Sequence, residues 1–252
     1  MLKRRLIPVL LLKQGRMVKG RQFRDYRDTG DPVSAARIYN AQKADELALL
    51  DIDASHENRG TLIRIIERVS SECFMPFTVG GGVRSVEDVR KLLKAGADKV
   101  LINTAAAETP QFVAEAANVF GKQCIVVGVD AKREGDRYRV YVHGARSATD
   151  LDLVEHIRCM EQMGAGEIFL NSIDHDGMMN GYDHDLLNLV VGTTTLPVIA
   201  SGGAGNFQHL VDAFTQCGAH AVACASLFHF GDNNPIRARS FLKNEGIPVK
   251  NV

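Results

Sequence analysis

Short apolar runs alternate along this chain with longer stretches in which apolar residues recur every three or four positions. A short apolar run bounded by turn residues reads as a strand buried on both faces, and an amphipathic stretch reads as a helix packed along one side. Strands are therefore expected near residues 6–12, 46–52, 76–80, 98–102, 124–129, 167–172, 197–200 and 220–224. Helix starts fall between them: Asp31 before Pro32, Ser85 with Asp88 three residues on, and Thr109 before Pro110. Eight such units with no linker or low-complexity tract point to an α/β chain of one domain spanning 1–252. A closed (β/α)8 barrel, the TIM barrel, is favoured over an open doubly wound sheet.

An internal repeat of about 120 residues strengthens that expectation. Gly81-Gly82-Val83, then Ala95-Gly96-Ala97-Asp98, then Asn103-Thr104 return as Gly202-Gly203-Ala204, Cys217-Gly218-Ala219-His220 and Ala225-Ser226. Ala44-Asp45-Glu46 and the run to Asp53 return as Ala165-Gly166-Glu167 and the run to Asp174. Two repeated (β/α)4 halves closing one barrel explain this better than two tandem domains, because four units alone would leave both sheet edges unpaired.

Composition narrows the function classes. Thirty Lys and Arg balance thirty Asp and Glu, so net charge favours neither nucleic acid nor an anionic membrane as partner. Five cysteines without a CxxC pair argue against a disulfide framework and a thiolate metal site. They are expected to be buried small apolar residues. The histidines have no paired ligand spacing, so neither a metal nor a cofactor is expected, and His143, His175 and His229 read as packing or polar-contact residues. The basic start, Met1 to Arg5, leads into an apolar run too short for a membrane span and without a cleavage signal. A cytoplasmic protein is the expectation.

Glycine directly after a strand lets backbone N–H groups approach an anion closely. Two such places occur, related by the repeat. The first is Gly80-Gly81-Gly82 with Asn103 and Thr104 in the next loop; the second is Gly202-Gly203 with Ala225 and Ser226, joined by the turn Asp176-Gly177. In a barrel both lie at the C-terminal ends of the strands, which implies a long substrate with two phosphate ends.

The residues Ile7-Pro8, Gly15-Arg16, Val18-Lys19-Gly20, Gly30-Asp31-Pro32, Leu50-Asp51-Ile52, Val79 to Val83, Ile102-Asn103-Thr104, Val129 to Lys132, Ser172-Ile173-Asp174, Gly181-Tyr182-Asp183, Ala200 to Gly205 and Ser226 to Phe230 carry a resemblance across nearly the whole chain. They resemble the cyclase subunit of imidazole glycerol phosphate synthase. That resemblance implies a bisphosphorylated ribulosyl aminoimidazole substrate and ammonia delivered by a glutaminase partner. The products would be imidazole glycerol phosphate and an aminoimidazole carboxamide ribotide. It implies two catalytic aspartates, at the ends of the first and fifth strands. Asp130 fits the second. Lys19, in the long loop from Gln14 to Thr29, matches a loop that closes over substrate. Arg5, Glu46, Lys99 and Glu167 match a ring of charges that admits ammonia, with Thr78 and Ser201 above it; the less favoured alternative is that the same four residues form a structural ion-pair plug. Asp98 and Gln123 correspond to contacts with the glutaminase.

The repeat also exposes a departure. Asp130-Ala131-Lys132 corresponds to Leu11-Leu12-Lys13, so the first carboxylate is replaced by Leu11, which cannot move a proton. Asp51 is a neighbour that could compensate. Asn171, Asp150, Met178 and Met179 depart from the family pattern on the same face. Two functions follow from these features: the cyclase itself, or a diverged paralogue that channels ammonia in another amidotransferase, such as amidino-sugar synthesis for a surface polysaccharide. The related single-chain sugar isomerase fits less well, because it too relies on paired carboxylates and has no use for the charge ring.

Overall fold

The computed structural model describes residues 3–54, 57 and 61–251. Its first half contains β1 (Arg5–Lys13), β2 (Arg16–Arg21), β3 (Arg24–Gly30), α1 (Pro32–Ala41), β4 (Leu47–Asp51), α2 (Ile63–Ser70), β5 (Phe77–Gly80), α3 (Val86–Lys94), β6 (Lys99–Ile102), α4 (Thr104–Glu108) and α5 (Pro110–Phe120). The second contains β7 (Ile125–Glu134), β8 (Arg137–Val142), β9 (Ser147–Asp152), α6 (Leu153–Gln162), β10 (Glu167–Ser172), α7 (His184–Val191), β11 (Val198–Ser201), α8 (Phe207–Thr215), β12 (Ala221–Cys224), α9 (Ser226–His229) and α10 (Pro235–Asn244). Parallel pairing runs β10, β11, β12, β1, β4, β5, β6, β7, and a β7 to β10 pairing closes the circle. The eight closing strands are those the apolar runs predict, so the chain is a (β/α)8 barrel.

Strand parity builds two cores. Leu6, Leu10 and Leu12 of β1 face the helices and belong to the large outer cluster. Ile7 and Val9 face the barrel axis and pack with Ala48, Leu101, Val126, Phe169, Ile199, Ala221 and Ala223, with Leu11 and Leu50 at the edge of that layer. Each fully buried leucine contributes about 2 kcal/mol of transfer free energy.

The helix starts follow their side chains. Asp31 accepts from the Ser34 N–H ahead of Pro32. Ser85 and Asp88 form a reciprocal capping box, each accepting the other's N–H at 3.1 Å. Thr109 differs from expectation: its side chain caps nothing, and the residue also ends α4, its N–H bound to the Ala105 carbonyl at 2.9 Å.

Two further differences concern the mouth and the cysteines. The segment from Gln14 to Thr29 is a hairpin, β2 and β3, extending from β1, where a loop was expected. Its repeat counterpart, β8 and β9, extends from β7 in the same way. The thiols of all five cysteines are free; Cys73, Cys217 and Cys224 are buried, but Cys124 and Cys159 are half-buried. No helix among the described residues is long and apolar enough to cross a membrane.

Candidate active site at the barrel mouth

The C-terminal ends of the strands surround a cavity of about 310 Å³. Gly81 and Gly82 border it on one side with φ of +111° and +67°, and Gly202 and Gly203 on the other with +87° and +116°. A Cβ on Gly81 would lie 2.2 Å from the Asp51 carbonyl oxygen, and one on Gly203 would lie 2.0 Å from that of Gly181. Only glycine fits either turn. The residues that follow β6 and β12 are shaped alike: Asn103 at φ −115°, ψ −85° and Ala225 at −112°, −75°. The repeat is thus preserved in backbone geometry where the side chains have diverged. Ser226 is buried and its Oγ has no hydrogen-bond partner among the described residues, so the second cradle holds a polar atom suited to a ligand oxygen. The Thr104 hydroxyl is partly used, accepting the His143 N–H at 3.0 Å.

Between the cradles stands Asp130. The Asn103 amide donates to its Oδ2 at 2.9 Å and the Asn171 amide lies 3.5 Å from its Oδ1. Burial pushes its carboxyl up to about 7; the two amides work against that shift and the Asp176 charge adds to it. A carboxyl titrating near neutrality suits both removal and return of a proton.

The hairpin lies across the opening. Lys19, far from being an exposed loop lysine, is buried and donates to Asp176 Oδ1 at 2.7 Å. The Gln22 N–H reaches the Asp176 carbonyl at 2.7 Å, and its amide reaches that of Asp174 at 2.9 Å. Gly177 permits this docking, since a Cβ there would lie 2.3 Å from the Gly20 oxygen. An element of the first half is therefore fastened to the loop after β10 in the second.

At the other end of the axis the four expected charges meet. Arg5 Nη1 donates to Glu46 at 2.5 Å and to Glu167 at 2.9 Å, and Lys99 Nζ reaches both carboxylates at 3.2 Å. Burial pulls the Arg5 guanidinium down, but the two carboxylates together outweigh it and hold the group above its ordinary value. Glu167 Oε1 serves both cations while Oε2 is buried without a partner among the described residues. Thr78 is buried one strand away from Lys99, and Ser201 borders the cavity above.

Residues 5–234 match the family described as "Histidine biosynthesis protein". The chain belongs to that family. As a barrel of the histidine biosynthesis family it carries enzyme-type architecture, and its departures can be located. Leu11 faces the cavity opposite the Asp130 side, packed with Leu50 and Ala225 on the inner layer. Asp51 pairs in register with Leu12, which faces outward, and its Oδ1 accepts the Ala54 N–H at 3.2 Å. Asp51 also borders the cavity. Asp150 is exposed and pairs with Arg139 at 2.9 Å, and Met178 and Met179 are exposed beside the second cradle. Asp98 and Gln123 lie on the N-terminal face; Asp98 Oδ2 also accepts the Phe77 N–H at 2.9 Å.

His143, His175 and His229 all make polar contacts, with Glu108 at 3.0 Å, the Gly181 carbonyl at 2.8 Å and the Val9 carbonyl at 2.9 Å. Among the described residues no group of His, Cys, Asp and Glu is placed to hold a metal ion. Sequence reasoning missed Phe23 and Tyr26, which the hairpin carries into the cavity wall. Arg24–Gly30 is polar apart from Tyr26, so no alternating pattern marked it as a strand.

Proposed function

We propose that this histidine biosynthesis family barrel is the ammonia-accepting cyclase subunit of a glutamine amidotransferase of the imidazole glycerol phosphate synthase type. The observation that carries the reading is the pair of repeat-related glycine cradles facing each other across Asp130. Such a span suits a substrate phosphorylated at both ends, held so that its reacting centre meets one neutral-range carboxyl. The ring of Arg5, Glu46, Lys99 and Glu167 lies on the same axis and would admit neutral ammonia from below. A glutaminase would dock on the N-terminal face near Asp98 and Gln123. Phe74, 85% exposed between α2 and β5, offers that face the aromatic anchor that interfaces favour.

Leu11 favours a second reading, a diverged paralogue that conducts ammonia to another acceptor. The decisive assay supplies the bisphosphorylated ribulosyl aminoimidazole substrate with ammonium salt. Formation of imidazole glycerol phosphate by the natural sequence supports the cyclase. Product only from Leu11→Asp supports the paralogue, since losing a general acid or base costs about 10²- to 10⁴-fold.

A further inference from the structure

The inner wall built from Leu11, Leu50 and Ala225 has no group able to donate a hydrogen bond from its side chains, whereas the wall around Asp130 carries Asn103 and Asn171. A reaction that breaks a carbon–nitrogen bond needs a donor for the departing nitrogen as well as a base for the attacking one. The hairpin brings a candidate from outside the barrel. Tyr26 of β3 lines the cavity together with Leu11, Lys19 and Asp130. Its ring is fixed by three things: the Lys13 ammonium 5.4 Å from the ring centroid, the missing Cβ of Gly20, which would lie 2.9 Å from the ring, and the hairpin's attachment through Lys19 and Gln22. Its hydroxyl has no hydrogen-bond partner among the described residues.

We propose that Tyr26 is a substrate-contacting hydrogen-bond donor that supplies, from the lid, the protic group missing at Leu11. Burial, reinforced by Asp176, Asp130 and Asp53, holds the phenol well above its ordinary value, so it stays protonated and serves as a donor, never as a second base. Asp130 then moves the proton, and Tyr26 stabilises the nitrogen that leaves. The donor is assembled only while Lys19 and Asp176 hold the hairpin down, so the chemistry is confined to the closed state. The inference rests on the mouth cavity being the acid–base site proposed above.

Tyr26→Phe removes the oxygen and keeps the packing. It is expected to lower kcat with ammonium salt about 10²- to 10³-fold, as loss of one preorganised donor does, while KM changes by less than about threefold. In a Leu11→Asp background the same change is expected to cost under about tenfold, because a carboxyl then stands where the phenol acts. Unchanged kcat in Tyr26→Phe, a loss confined to KM, or an undiminished cost in the Leu11→Asp background would each overturn the proposal. So would a natural sequence that gives no product beside a Leu11→Asp variant that does, the outcome that favours the paralogue. Should neither protein turn over, the cyclase reading fails and 3-fluorotyrosine at position 26 decides the rest. A fluorine resonance that moves on saturation with the bisphosphorylated substrate supports ligand contact, and one that does not move refutes it.

Discussion

Asp130 accepts from two side-chain amides, yet burial outweighs them and its carboxyl titrates near neutrality. Because the folded state holds that proton more tightly than the unfolded chain does, its contribution to stability is fully present below about pH 4. It is lost as pH rises through about 7. Asp130→Asn removes the titration. The variant should therefore gain stability relative to the natural protein as pH rises from about 4 to 7, with a limiting slope of roughly 1.4 kcal/mol per pH unit and a total of a few kcal/mol at most. Urea denaturation across that range checks the sign, and a constant difference would rule out a buried titrating carboxyl. Asp130 was legible as a strand-end acid through the family resemblance, and the repeat then located Leu11 as its mate. Tyr26 was not, because its position depends on a hairpin whose residues look like a solvated loop.

Among the elements, the eight barrel strands were legible because parallel strands buried on both faces are almost continuous apolar runs. The two hairpins were not. β3 and β9 are mostly exposed and polar, so their strand character comes from pairing with β2 and β8 and not from an alternating pattern. The glycine turns were legible from residue type alone, and the structure shows why substitution would fail. Gly203 combines φ of +116° with a would-be Cβ 2.0 Å from the Gly181 oxygen, and its own carbonyl accepts the Gly181 N–H at 2.9 Å. Gly203→Ala is expected to destabilise the fold by about 2 kcal/mol or more and to weaken inorganic phosphate binding. Calorimetry on the variant checks both, and retention of stability would mean that the turn relaxes freely. Thr109 shows the opposite limit: a sound capping signature gives no side-chain cap at a residue that also ends a short helix.

In the whole molecule, a ring of four charges lies at one end of the axis and the glycine cradles lie at the other. The ring places two cations between two carboxylates whose side chains are 7% and 13% exposed. Removing one partner from such a set leaves the others uncompensated. Glu167→Gln should lower unfolding free energy by roughly 3 kcal/mol, the lower end for breaking a buried pair because some solvent reaches the ring. Guanidinium denaturation checks this, and a neutral result would mean that water, not Glu167, satisfies Arg5 and Lys99. The ring could be read from the sequence only through family resemblance; the repeat relates Glu46 to Glu167 but does not say that Arg5 and Lys99 bridge them.

The hairpin begins in one half of the duplicated barrel and is tied by Lys19 and Gln22 to the other. A molecule seated between Gly82 and Gly203 is consequently roofed over, with a floor of interlocked charges beneath it. Its departure requires the Lys19 and Gln22 ties to open together, and because the same strap carries Tyr26, dwell time and the proposed chemical step are coupled through one element.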